Sequence, residues 1–165
     1  MATLYVGLGS NQGARLRLMM CALNLIEERI GRVVGRSAFY ETKPWGFVSE
    51  HPFLNAVAKI ETTMKPLEVL AVTQQIEREL GRIRKSIDGQ YADRTMDIDL
   101  LFYDDMCLNL PELVLPHPQM HLRDFVLRPM ADLAPDFYHP LLKQTMAELL
   151  RDLNLHSGEA TIINS

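Results

Sequence analysis

Four stretches with the two-residue period of a strand, two helical periodicities set between them and a closing run of helices give the order β-α-β-β-α-β followed by helices. That order predicts an α+β fold of the ferredoxin-like type, an antiparallel sheet with helices packed on one face. The length of 165 residues suits a single domain, expected over 1–155, and the patternless 156–165 is expected to fray as a tail.

The first strand, residues 3–9, runs into Ser10-Asn11-Gln12-Gly13. Its glycines suggest a phosphate loop, but the dinucleotide fingerprint needs Gly where Gln12 stands, and the nucleoside-triphosphatase loop needs a Gly-Lys-Ser/Thr that is absent. The segment reads instead as a tight strand-to-helix turn with Ser10 or Asn11 as the cap. Leu16, Met19, Met20, Leu23, Ile26 and Ile30 recur at helical spacing and end at Gly31. Residues 33–40 form a second strand. The turn-rich Glu41-Thr42-Lys43-Pro44-Trp45-Gly46 follows, a loop able either to present backbone amides to a ligand or to tuck Trp45 inward. The third strand, 53–60, places Phe53 and Asn55 on one face.

Pro66 suits the first turn of a helix carried by Leu67, Val69, Leu70, Thr73, Ile76 and Leu80 and ended by Gly81. Leu70, Gln74 and Glu77 line one stripe of it. Residues 82–94 are expected to be a loop, basic at its entrance, with Arg82, Arg84, Lys85 and Arg94 converging on the fourth strand. Cations at a helix C-terminus have a purely structural explanation as well. In the fourth strand Met96, Ile98, Leu100 and Phe102 alternate with Asp97, Asp99 and Leu101, so both aspartates point the same way, their Cα atoms roughly 6.6 Å apart. Aspartate is depleted in strands, and two in one apolar strand is a local conflict of the kind found at working sites. Further on, His117 lies between Pro116 and Pro118. A helix over 125–133 starts near Arg123 and Phe125, and a terminal helix over 141–153 buries Met146, Leu149, Leu150 and Leu153.

Hydrophobic residues make up 47% and charged ones 23%, as in ordinary soluble domains. A net charge of −4 argues against a dedicated nucleic-acid binder, although local arginines can still hold a phosphorylated substrate. Cys21 and Cys107 have no framework spacing and are expected to be free thiols. No leader-like or membrane-spanning run is present, so a cytoplasmic protein without membrane partners is expected.

Paired carboxylates, several arginines, a polar helix stripe and an aromatic-bearing loop suit a magnesium nucleotide and a flat heterocycle. Mg²⁺ takes a few carboxylates and fills its remaining positions with water and phosphate oxygens, which points to phosphoryl or pyrophosphoryl transfer.

Gly9-Ser10-Asn11, the stretch from Tyr40 to Gly46, Phe53-Leu54-Asn55, Gln74, Glu77, Gly81-Arg82-Ile83-Arg84-Lys85, Arg94-Thr95-Met96-Asp97-Ile98-Asp99 and Pro116-His117-Pro118 together resemble the 6-hydroxymethyl-7,8-dihydropterin pyrophosphokinases of folate biosynthesis. The likeness is nearly collinear from Leu4 to Leu155. It implies transfer of pyrophosphate from ATP to the pterin hydroxymethyl group, with attack on the β-phosphorus, release of AMP and passage of the product to dihydropteroate synthase. By the same likeness Asp97 and Asp99 would hold two Mg²⁺ ions, and Arg82 and Arg94 would close over the triphosphate. Arg84, Lys85, Tyr91, His117 and Arg123 would make further nucleotide contacts, together with Leu70, Gln74 and Glu77. The pterin would stack between Phe53 and Phe125, its amide edge read by Asn55 and around Thr42, Pro44 and Trp45. Phe53 stands where many members have Tyr, Tyr91 where Trp is common, and Lys43, Gln90, Asp93 and Glu112 also depart from the pattern.

Two other readings compete with this one. A non-catalytic ligand- or RNA-binding module on the same fold would require aromatic stacking positions that the sheet lacks. A kinase moving only the γ-phosphoryl group would use the same residue types and differ in releasing ADP.

Overall fold

The computed structural model describes residues 1–10, 14–42, 53–85, 96–155 and 161–162, with the backbone alone at 42, 82–85, 161 and 162. Its elements are β1 (Ala2–Ser10), α1 (Arg15–Arg29), β2 (Arg32–Arg36), β3 (Tyr40–Thr42), β4 (Phe53–Thr62), α2 (Pro66–Lys85), β5 (Asp97–Tyr103), β6 (Leu108–Asn109), β7 (Val114–Leu115), α3 (Asp124–Leu133), α4 (Met146–Asn154) and β8 (Thr161–Ile162), with a 3₁₀ turn at Met120–Leu122. The main sheet runs β5-β1-β4-β3-β8, with β2 also pairing β4, and the ladders within it are antiparallel. This is the predicted α+β, ferredoxin-like arrangement, with the fourth expected strand lying beside the first.

Both faces of the sheet are covered, where helices on one face were expected. Leu4, Val6, Leu8, Ile60, Ile98 and Leu100 pack with Met19, Ala22, Ile26, Val69 and Ile76 of α1 and α2. Tyr5, Val57 and Leu101 pack on the opposite side with Val126, Leu127 and Met130 of α3 and Met146 and Leu149 of α4. The last two helices therefore close the second face. Gly31 brings α1 onto the sheet, because a Cβ there would lie 2.1 Å from the Glu61 carbonyl oxygen.

Several boundaries differ from the expectation, each for a local reason. Ser10 is the last residue of β1 and wholly buried, and α1 starts after Ala14 without a side-chain cap. The expected strand over 33–40 is two strands. Between them the Ser37 hydroxyl takes the place of a ladder carbonyl, accepting from Val57 N at 2.9 Å. Helix α2 runs through Gly81 to Lys85: a helical glycine costs about 1 kcal/mol against alanine, which the helix formers Arg82, Arg84 and Lys85 outlast. Phe102 leaves the face of Ile98 and Leu100 because the register of β1 against β5 shifts between Tyr5 and Val6, so Leu101 and Phe102 both enter the second core. Helix α4 begins at a capping box, not at Leu141. The Thr145 hydroxyl accepts from Glu148 N at 3.2 Å and the Glu148 carboxylate from Thr145 N at 2.8 Å. The β6–β7 hairpin and the pairing of β8 with β3 had no periodic signal in such short runs. No helix among the described residues is long and apolar enough to cross a membrane.

Candidate active site

Three strands bring an amide and two carboxylates into one row. Gly9 of β1 faces Asn55 of β4 on one side and Asp97 of β5 on the other, and Gly7 faces Val57 and Asp99. Directly opposed residues share a sheet face, so Asn55, Asp97 and Asp99 look out over a floor made of two glycines. The floor is bare because those positions carry no side chain. A Cβ on Gly9 would come within 3.0 Å of Asn55 Oδ1. Asn55 is 5% exposed, whereas Asp97 and Asp99 are half-buried. Two carboxylates directed from adjacent same-face positions offer the oxygen donors that a hard cation takes, with room left for further oxygens. Among the described residues no group of three or more His, Cys, Asp or Glu is placed to hold a metal ion.

His117 borders this floor. Its backbone N–H donates to Leu101 O at 2.9 Å, which ties the Pro-His-Pro segment to β5, and its Nδ1 accepts from Gln119 N at 3.1 Å. That bond places the proton of the neutral ring on Nε2. Burial pushes the His117 pKa below its usual value; Asp99 opposes the shift and Arg123 adds to it. Burial therefore favours the neutral ring near Asp99, with its N–H at Nε2. Arg123 also lies over the Phe125 ring, 5.9 Å from its centroid, so one guanidinium links the histidine to the aromatic at the start of α3. Phe125 is 39% exposed and Phe53, on β4 beyond Asn55, is half-buried.

Helix α3, which carries Phe125, and strand β3, which pairs with β4 at Phe53, are anchored from behind. Asp132 of α3 accepts from Ala38 N at 2.9 Å, and its bond to the Tyr40 hydroxyl adds to burial in raising that phenol's pKa. Arg128 forks onto Asp124 at 2.8 and 3.1 Å. Arg15, at the start of α1, pairs with Glu41 next to Thr42.

On the stripe of α2 expected to face the nucleotide, Leu70 is half-buried, Gln74 exposed and Glu77 half-buried. Glu77 Oε2 accepts from Ile98 N at 2.7 Å, between the two aspartates. The structure thus brings Asn55, Asp97, Asp99, Glu77, His117 and Arg123 to one end of the sheet. Pro44, Trp45, Tyr91 and Arg94 lie outside the described residues, as do the side chains of Thr42, Arg82, Arg84 and Lys85. Gly7 and Gly9, placed in the first strand by the sequence, were not among the expected site residues. Their signal was the two-residue spacing of glycines inside an apolar strand, which marks close approach of another group to the sheet.

Over residues 5–135 the chain matches the family model described as 7,8-dihydro-6-hydroxymethylpterin-pyrophosphokinase. A Porphyromonas gingivalis protein named 2-amino-4-hydroxy-6-hydroxymethyldihydropteridine pyrophosphokinase is 52% identical over 141 residues, which cover 85% of this chain and 95% of that one. An Aquifex aeolicus protein of the same name is 36% identical, over 90% of both chains. Among solved structures, Plasmodium falciparum HPPK-DHPS wild type superposes with a TM-score of 0.73 at 17% identity, over 92% of this chain and 44% of the other, a likeness of fold.

Proposed function

Because the chain belongs to the 7,8-dihydro-6-hydroxymethylpterin-pyrophosphokinase family, a family of diphosphotransferases, we propose that the glycine-floored end of its sheet is where pyrophosphate passes from ATP to the pterin. The enzyme carries out pyrophosphoryl transfer in folate biosynthesis, with ATP as co-substrate. The observation that carries the site assignment is the row Asn55–Gly9–Asp97 with Gly7–Asp99 beside it.

In this reading the pterin lies over the Gly9 side, its amide edge on the buried Asn55 and on the segment around Thr42, Pro44 and Trp45, between the rings of Phe53 and Phe125. An amide that is almost wholly buried is held in a fixed direction, so it selects for a ligand edge with matching donors and acceptors. The hydroxymethyl oxygen then faces the triphosphate near Asp97 and Asp99. It attacks the β-phosphorus; the new O–P bond forms as the bond from the β-phosphorus to the oxygen shared with the α-phosphorus breaks, and AMP leaves with that oxygen. Asp97 and Asp99 have the donor chemistry for Mg²⁺, two ions in all, which when bound would neutralise the phosphate charge. Arg82, Arg94, Arg84 and Lys85 supply positive charge to the phosphates, and His117 Nε2–H and Arg123 supply further donors. Leu70, Gln74, Glu77 and Tyr91 complete the nucleotide side. Such reactions are catalysed mainly by positioning and charge stabilisation, so rigid strands suit them. Passage of the pterin diphosphate to a dihydropteroate synthase is part of the same proposal.

The test is a nucleotide-product assay with ATP, Mg²⁺ and 6-hydroxymethyl-7,8-dihydropterin that resolves AMP from ADP. AMP that appears only when pterin and metal are both present is the expected result. ADP would replace the mechanism with γ-phosphoryl transfer, and pterin binding without turnover would make the chain a ligand-binding module.

A further inference from the structure

Among the described residues β5 is the end strand of the sheet, with a ladder on its β1 side only. Its outer side is fixed at two described points that flank Asp99. Leu101 O accepts from His117 N at 2.9 Å, and Ile98 N donates to Glu77 Oε2 at 2.7 Å. The second point sits on the peptide between the two aspartates. Glu77 belongs to α2, whose Val69, Ile76 and Leu80 are in the same core as Ile98, so the bond ties the strand to a rigid body already packed beneath it. A carboxylate acceptor makes this bond shorter and stronger than a neutral one would.

We propose that Glu77 is a positioning residue: by holding the Ile98 amide it sets the spacing and direction of the Asp97 and Asp99 carboxylates for a divalent cation. This rests on the reading of those aspartates as metal ligands. Mg²⁺ demands near-ideal octahedral geometry at short distances, whereas Ca²⁺ accepts flexible sites, so freedom in β5 penalises Mg²⁺ more. Loss of the bond therefore lowers Mg²⁺ affinity and narrows the preference for Mg²⁺ over Ca²⁺, an effect that a contact serving only stability would not produce.

The test compares the full chain with Glu77→Ala, Glu77→Asp, Glu77→Gln and Asp99→Asn. Mg²⁺ and Ca²⁺ are titrated calorimetrically onto each chain saturated with an ATP analogue whose α–β bridging oxygen is a methylene, and thermal unfolding is followed in parallel. The affinity of each variant for the metal-free analogue is measured separately, so that a lost nucleotide contact is told from a lost metal site. Glu77→Ala should lose about tenfold in Mg²⁺ affinity, the scale typical of residues that orient metal ligands, and less in Ca²⁺ affinity. Glu77→Asp keeps the charge but falls a methylene short of Ile98, and should behave like Glu77→Ala; it also serves if the alanine variant fails to fold. Glu77→Gln keeps an acceptor in reach and should stay within about threefold of the parent, since a neutral acceptor costs on the order of half a kcal/mol. Unchanged Mg²⁺ affinity in both Glu77→Ala and Glu77→Asp, with Asp99→Asn impaired, would overturn the proposal. So would an equal loss in Glu77→Gln, which would place the effect in the charge. Parent-like Mg²⁺ binding by Asp99→Asn would instead overturn the metal reading beneath it.

Discussion

The two ends of one sheet face are built from the same strands and do opposite work. Toward one end, Tyr5, Val57, Leu101 and Phe102 are almost wholly buried beneath α3 and α4, and the rings of Tyr5, Phe102 and Phe137 meet edge-on or tilted at 4.6 to 6.3 Å between centroids. Toward the other end the same strands carry Gly7, Gly9, Asn55, Asp97 and Asp99. A change from large apolar side chains to glycine and aspartate within two residues turns a packed layer into a cleft floor. The packed end fixes strand positions, and the bare end can then hold polar groups at set spacings without a flexible loop.

Adjacent same-face residues of β5 break this comparison most directly. Asp99→Ala removes a proposed metal carboxylate from a half-buried position and should reduce kcat at least about 100-fold, with thermal unfolding within about 2 °C of the parent. Leu101→Ala, two residues on and wholly buried, should do the reverse. It is expected to lower stability by about 2–5 kcal/mol in denaturant unfolding while the folded fraction keeps near-parental kcat. If Asp99→Ala destabilises as much as Leu101→Ala, or leaves turnover intact, the two ends are not functionally distinct.

How much of this contrast could be read from the sequence depends on signal length. The alternation through Met96–Asp99 put both aspartates on one face, and the helical periods of α1 and α2 were long enough to locate the first core. The second core was less legible. Phe102 was placed on the wrong face because a one-residue register shift reverses alternation and leaves no trace in residue type. The start of α4 was misplaced because the apolar Leu141 and Leu142 extend its pattern backward, whereas the Thr145–Glu148 capping box sets the boundary. Gly9 was placed in its strand but not in the site, because glycine there reports an absence, and only the strands on either side show what the space is for.

The packed end should respond to acid through a buried histidine of its own. His139 is 3% exposed, lies edge-on to Phe102 at 5.4 Å, and accepts from Leu141 N and Leu142 N at its Nδ1 at 3.2 and 3.0 Å. Burial, with His121 adding to it, pushes its pKa down from 6.5 to about 4. The unfolded chain therefore binds more protons between those values: the stability from keeping this ring neutral is whole above pH 6.5 and is lost as the pH falls toward 4. The loss should be about 1–3 kcal/mol. His139→Asn, which keeps an acceptor near Nδ1 and cannot charge, should flatten that limb of the stability curve. An unchanged slope in this variant would place the acid sensitivity elsewhere.

The finest test is one methyl group on the bare floor. Gly9→Ala adds a Cβ that meets Asn55 Oδ1 at 3.0 Å, tighter than ordinary contact, and Asn55 is buried and must give by a few tenths of an ångström. Alanine adopts strand geometry without strain and restricts the unfolded chain, so stability should hold or rise slightly. The displacement falls on the amide proposed to read the pterin edge, and about 1 kcal/mol of lost recognition corresponds to a rise of about fivefold in the pterin KM. The KM for ATP should stay within about twofold, because the methyl points at Asn55 rather than along β5. Equal rises in both constants would mean that the methyl obstructs the whole cleft. No change in either would mean that Asn55 does not read the pterin, and that the bare floor serves the carboxylate side alone.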